Sequence, residues 1–162
     1  DIARAARVNK ATIYYHFKNK MAVFFEITVS AIYEIMAQAR PIVDSEMTPE
    51  KKLEALIDNH IRWLISHPGR VGFYPLLKLN LTPKLFSDYL KARDEYLALF
   101  QKVIDEGVLK GYYHHLNRRY DALFIVTFLN NIVQRTESCQ GLSNEEIVRS
   151  AFNLISQALK NP

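Results

Sequence analysis

The sequence predicts an all-α protein, and three observations carry that expectation. Strand signals are nearly absent: no Asn-Gly or Asp-Gly turn occurs, and 5 glycines are spread over 162 residues. Helix starts are spelled out repeatedly, as Thr48-Pro49-Glu50, Thr82-Pro83 and the capping box Ser143-Asn144-Glu145-Glu146. Between these starts, apolar residues recur at three- and four-residue spacing. A composition of 49% hydrophobic and 23% charged residues is that of a globular domain and excludes disordered and fibrous architectures.

Taken in order, Asn9 is placed to cap a short helix from Lys10 to about Phe17. A long helix follows from about Lys20 to Ile42, with Phe24, Ile27, Ala31, Ile35 and Ala39 on one stripe and Ile32, Met36 and Val43 beside it. Apolar residues on two sides imply neighbours on two sides. Thr48 opens a helix bearing Leu53, Ile57, Ile61 and Leu64, which stops at His67-Pro68-Gly69. Residues 70–81 are less regular and include a short helix. Thr82 opens the next, with Leu85, Tyr89, Ala92, Tyr96, Leu99 and Val103 inward, ending near Gly107 or Gly111. A helix from about Arg118 to Ser138 breaks at Gly141. The capping box starts the last helix, through Lys160, with Ile147, Ala151, Leu154, Ile155 and Ala158 on its inner face.

Charge is unevenly placed. Residues 1–20 carry Arg4, Arg7, Lys10, Lys18 and Lys20 against Asp1, a balance of +4, and the other 142 residues balance to zero. A basic head on a neutral body is the electrostatic footprint of a nucleic-acid contact. The single cysteine, Cys139, excludes an internal disulfide framework and any multi-cysteine metal cage. The richest apolar run, Ala122 to Leu129, is far short of the ~20 residues of a membrane helix. With no signal peptide preceding, the expectation is a cytoplasmic protein without membrane contact. His114-His115 are adjacent and point apart, so no metal is expected. Without a phosphate loop, a Gly-x-Ser-x-Gly elbow or a catalytic constellation, neither enzyme activity nor a cofactor is expected.

The order of residues in the head decides between a solvated face and a reader. Ile2, Ala3 and Ala6 are apolar at helical spacing; a tight turn follows, then a second short helix. There Ile13 and Phe17 point inward, leaving Lys10, Ala11, Thr12, Tyr14, Tyr15 and His16 to face elsewhere. A short helix presenting hydroxyls, rings and bases, with a lysine at each end, suits a major groove.

Ile2-Ala3 followed by Ala5-Ala6, then Val8-Asn9-Lys10, and above all Thr12-Ile13-Tyr14-Tyr15-His16-Phe17 followed by Lys20, closely resemble the tetracycline-repressor-like (TetR) family of bacterial regulators. The rest of the chain is similar in pattern only. The resemblance implies a helix-turn-helix region over residues 1–20, with the linking helix running on to about 28. It implies a ligand-binding and dimerisation domain over 29–162. By the same match, Lys10, Ala11 and Tyr14 approach base edges while Thr12, Tyr15, His16 and Lys20 hold the phosphate backbone. Arg7 stands where the family usually has a turn glycine, and Met21 where an acidic residue is common. The family's first helix would lie before Asp1, so the reader is expected to be incomplete.

The expected function is a homodimeric transcriptional regulator, a repressor released from a near-palindromic double-stranded DNA operator by a small apolar or aromatic effector. The alternative is a helical small-molecule-binding or interaction module that no longer reads DNA. The aromatic residues of the body are core by default. The resemblance adds a ligand cavity among the middle helices, with His60, Trp63, Phe73, Tyr74, Tyr96 and Phe128 as candidate lining. Ala122 to Leu129 is apolar nearly all round, which calls for burial on a second side. The expected dimer interface is therefore Phe128, Ile132, Ile147, Ala151, Leu154 and Ile155, in a two-fold four-helix bundle.

Overall fold

The computed structural model describes residues 9–68, 70, 74–118, 120–135 and 142–160. Among these it holds seven helices: α1 (Lys10–His16), α2 (Lys20–Val43), α3 (Pro49–Ser66), α4 (Tyr74–Asn80), α5 (Pro83–Leu109), α6 (Asp121–Arg135) and α7 (Asn144–Lys160). α2 packs on α5 and α3, while α3 packs on α5, α6 and α7.

The caps read from the sequence form as expected. Thr48 and Thr82 accept from the backbone N–H of Lys51 and Leu85, each with proline in the first turn. At Ser143, the Glu146 carboxylate accepts from the Ser143 backbone N–H at 2.8 Å, and the Glu146 N–H donates to Ser143 Oγ at 3.3 Å. The sixth helix starts later than its apolar pattern suggests. Ahead of it the Tyr120 N–H donates to the Asn117 carbonyl at 2.7 Å, and the buried Asp121 accepts from the Asn117 backbone N–H at 2.7 Å and from His115 Nδ1 at 2.8 Å.

Of the two glycines offered as the end of α5, Gly111 terminates it, with φ of 75°. Gly107 lies inside the helix for a packing reason: a Cβ there would sit 2.2 Å from Cδ2 of the buried Tyr113 ring. Gly107→Ala therefore destabilises the fold by about 1–3 kcal/mol despite alanine's better helix propensity. Tyr113 Oη is buried without a partner, so Tyr113→Phe is neutral or stabilises by about 1 kcal/mol. Urea unfolding of the two variants checks both signs.

Two apolar clusters meet on α2. The larger joins Ala31, Ile35 and Ala39 to Leu53, Ile57, Phe100, Leu129, Ile155 and others; the smaller gathers Phe25, Leu77 and Tyr89. This corrects the expectation that no apolar run reaches membrane length. α2 has 24 residues, and its most apolar window has a mean hydropathy of 1.3, enough by length and composition to cross a bilayer. A third of that window is buried, with Phe25 in the smaller cluster and Ala31, Ile35 and Ala39 in the larger. Ile27, expected on the buried stripe, faces outward, and Thr28 takes the buried position. The Thr28 hydroxyl donates to the Phe24 carbonyl at 2.8 Å within the same helix, so its burial leaves no unmet polar group.

Candidate nucleic-acid interface

α1 is built by Asn9. Its Oδ1 accepts from the Ala11 N–H at 3.0 Å, and its carbonyl accepts from the Thr12 N–H at 3.0 Å. After Phe17 the chain turns, and Asn19 caps α2 by accepting from the Ala22 N–H at 2.9 Å. A capped helix therefore stands three residues from the next cap, a connection with little slack. Ala11, Thr12, Tyr15 and His16 are exposed, Tyr15 to 86%, with its ring edge-on to His16 at 5.1 Å. Lys18 and Lys20 are also exposed, and the Lys20 ammonium lies 5.6 Å from the centre of the Phe24 ring. That contact holds the lysine stem at the start of α2. The side chains of Lys10 and Tyr14, and residues 1–8 with Arg4 and Arg7, lie outside the described residues, as do Phe73 and Cys139.

Away from the head, the neutral body is realised as local pairs. The buried Lys52 meets Glu106 at 2.9 Å, and Lys110 meets the other oxygen of Glu106 at 2.7 Å. Those two bonds hold the Glu106 carboxyl below its ordinary range. Arg70 grips Glu34 of α2 with two bonds, at 2.7 and 2.9 Å, and its guanidinium stands 5.6 Å from the Trp63 ring centre. Neither Arg70 nor Glu34 has a distinctive motif in the sequence; their pairing depends on the crossing of α2 with the end of α3.

The effector candidates divide. His60, Trp63 and Tyr96 are buried together, with His60 Nδ1 2.8 Å from Tyr96 Oη and Nε2 3.2 Å from Asn130 Oδ1. An amide oxygen only accepts, so Nε2 carries the hydrogen and Tyr96 donates to Nδ1. Burial lowers the His60 pKa to about 4 and pushes the Tyr96 phenol up. These polar groups satisfy one another across α3, α5 and α6 rather than line an open chamber. Tyr74 belongs elsewhere: its ring neighbours are Phe86 and Tyr89, in the smaller cluster. Phe128 is half-buried against the main core.

The dimer candidates divide as well. Ile147, Ala151 and Ile155 are seated in the chain's own core, with Ile132 packed against it. Leu154, expected on the inner face, is 58% exposed. The buried face of α7 runs Val148, Ala151, Ile155 and Leu159, and Leu154 lies about a quarter-turn from its centre. Phe124, in the run expected to be buried, is 56% exposed on α6. Among the described residues, Phe124 and Leu154 are thus the large apolar groups that α6 and α7 leave exposed.

Comparison with known proteins fits this geometry. The family model described as "Tetracyclin repressor-like, C-terminal domain" matches residues 46–157, and "Bacterial regulatory proteins, tetR family" matches residues 1–27. The chain belongs to the TetR family. A curated relative is the HTH-type transcriptional repressor KstR2 of Mycobacterium tuberculosis, 25% identical over 114 residues. That match takes in 70% of this chain and 57% of KstR2, so the chain spans little more than half the length of its curated relatives. The TetR-family regulator PfmR from Thermus thermophilus superposes with a TM-score of 0.82 at 20% identity, over 97% of this chain and 86% of PfmR. AibR, solved with isovaleryl coenzyme A and operator DNA, superposes with a TM-score of 0.75 at 18% identity, over 94% and 83% of the respective chains. At these identities the two superpositions establish a shared TetR fold.

Proposed function

We propose that this chain is the operator-binding and effector-responsive part of a homodimeric transcriptional repressor acting in the cytoplasm. The observation that carries the reading is α1: Ala11, Thr12, Tyr15 and His16 stand exposed on a capped helix inside the span matched by the family's N-terminal model. Residues 1–20, with α2 to about 28, form the reader, and 29–162 bind effector and partner. Lys10, Ala11 and Tyr14 meet base edges; Thr12, Tyr15, His16 and Lys20 meet phosphates.

Two recognition helices enter successive major grooves about 34–36 Å apart on a near-palindromic operator. The effector is an apolar, aromatic or acyl compound; the isovaleryl coenzyme A held by AibR supports an acyl thioester among the candidates. It acts by differential affinity: a conformation with its heads at another spacing binds effector better and DNA worse. α2 is the lever, because it begins beside the reader and ends in the main core.

Titration of the protein's own upstream DNA at several salt concentrations tests the reading. Lys20→Ala weakens all sequences alike and lowers the salt slope by about one, whereas Tyr14→Ala relaxes sequence preference. Absence of salt-dependent binding to that DNA favours a helical module that does not read DNA.

A further inference from the structure

We propose that the Arg70–Glu34 pair is a latch that sets the angle of α2 against α3, and with it the spacing of the two readers in a dimer. Arg70 and Glu34 are then positioning residues for operator recognition. The consequence for spacing rests on the repressor reading given above; the latch itself is a property of the body.

A helix held by apolar contact alone has a weakly specified angle. α2 lies on the body through Met21 and Phe25 in the smaller cluster and through Ala31, Ile35 and Ala39 in the larger. Such contacts are non-directional. A forked arginine–carboxylate pair is directional, because its two bonds close together at only one placement of the groups. Arg70 makes that fork, to Glu34 Oε2 at 2.7 Å and to Oε1 at 2.9 Å. The same guanidinium reaches Ser30 Oγ at 3.4 Å, one turn earlier on α2. Among the described residues, no other ion pair joins α2 to another element; Asp44, which pairs with Lys102, lies just past its end.

The arginine is anchored from the α3 side. Its backbone N–H donates to the carbonyl of His67, the C-cap of α3, at 3.3 Å. Its guanidinium stands 5.6 Å from the centre of the Trp63 ring, which is buried in the main core and stacked on His67 at 4.4 Å. The latch therefore runs from the main core to the outer face of α2. Both side chains are partly in water, Arg70 at 29% and Glu34 at 45% exposure, so the pair adds little to folding. Its contribution is orientation.

From Glu34 back to Lys20, α2 runs about 21 Å, so a swing of about 10° about the latch moves its start by about 4 Å. Asn19 caps α2 three residues after α1 ends, so the reader follows that motion. A displacement of about 4 Å is close to the rise of one base pair.

Two measurements on the full chain test the latch. In the first, nitroxides are carried by the exposed positions Lys18→Cys and Lys51→Cys, with Cys139→Ser and dilution by unlabelled chain. Their dipolar distance reports the angle of α2 without any DNA. The distribution is expected to shift or broaden by about 4 Å in Arg70→Gln and in Glu34→Gln. It returns to that of the parent in the swap of Glu34→Arg with Arg70→Glu.

The second compares the upstream operator, the same operator with one base pair inserted between its half-sites, and a single half-site. The insertion is expected to weaken the parent about a hundredfold, and either glutamine variant cuts that penalty at least about fivefold. Half-site affinity stays unchanged, which a damaged reader would not allow. Parent-like distances in both glutamine variants overturn the proposal. So does a spacing penalty equal to the parent's in variants that bind the operator. If the parent binds no upstream DNA while the distances still shift, the repressor reading falls and the latch stands.

Discussion

Phe124→Arg and Leu154→Arg are each expected to convert the proposed homodimer into monomers in sedimentation velocity at micromolar concentration. Both side chains are more than half exposed although both are large and apolar, and the helices that carry them both pack on α3. Phe124 on α6 and Leu154 on α7 are therefore apolar groups that the chain itself does not cover, and together they mark the proposed dimer layer. A two-fold axis through that layer places each substitution in the interface twice, so one arginine introduces two charges into a desolvated patch. The fold has little to lose, because neither side chain lies in the core, and the circular dichroism spectrum is expected to be unchanged.

Operator affinity is expected to fall by about two orders of magnitude, because a monomer loses the second half-site and its effective concentration. Phe128→Arg is a poorer test: that ring is packed against the main core, so loss of folding and loss of dimer would coincide. Unchanged dimers in both outward variants would move the interface elsewhere.

The second large effect concerns acid. His60 is buried, bonded on both nitrogens, and has its pKa lowered from 6.5 to about 4. In the unfolded chain the same imidazole takes a proton below 6.5. Between these two values the unfolded state binds more protons than the native one, so stability rises with pH there and is lost as pH falls. The full contribution is present above pH 6.5. About 2 kcal/mol is expected to be gone at pH 5, and about 3 kcal/mol at pH 4.

The carboxyls held below their ordinary range, Glu34 by Arg70 and Glu106 by Lys110 and Lys52, contribute in a different window. Their stabilisation persists down to the normal carboxylate range and is lost below it. Urea titrations of parent and His60→Gln at pH 7 and pH 5 therefore leave those carboxyls out of the comparison and read His60 by difference. His60→Gln keeps one acceptor for Tyr96 and one donor for Asn130, and it flattens the difference between the two pH values. An equal loss in parent and variant would assign the acid sensitivity to another group.

Most of the helical frame was legible because its starts are local chemistry. Thr48, Thr82 and Ser143 each bond a backbone N–H three residues on, and no distant residue is needed for that. Boundaries went astray where a buried polar group intervened. The sixth helix begins at Asp121 because that carboxylate takes the Asn117 N–H and His115, a pairing brought about only by folding. Gly107 and Gly111 look alike in sequence; one meets a tyrosine ring and the other turns the chain.

The head was legible for the same local reason, as a run of contact-bearing residues on one short helix. The chain of bonds from Tyr96 through His60 to Asn130 was not, because these partners, 36 and 70 residues from His60, meet only once the helices have packed.

By itself the sequence determined the helix starts, the basic head on a neutral body and the family. Each depends on spacing within one or two turns, where side chains meet their own backbone or a common face. Tertiary structure alone decided which apolar residues lie inside. Ile147 and Leu154 are one heptad apart on α7 and nearly in line, yet one is in the core and the other faces out. A helix that lies across its neighbours buries a face set by their crossing, and a seven-residue spacing in the sequence carries no record of that angle.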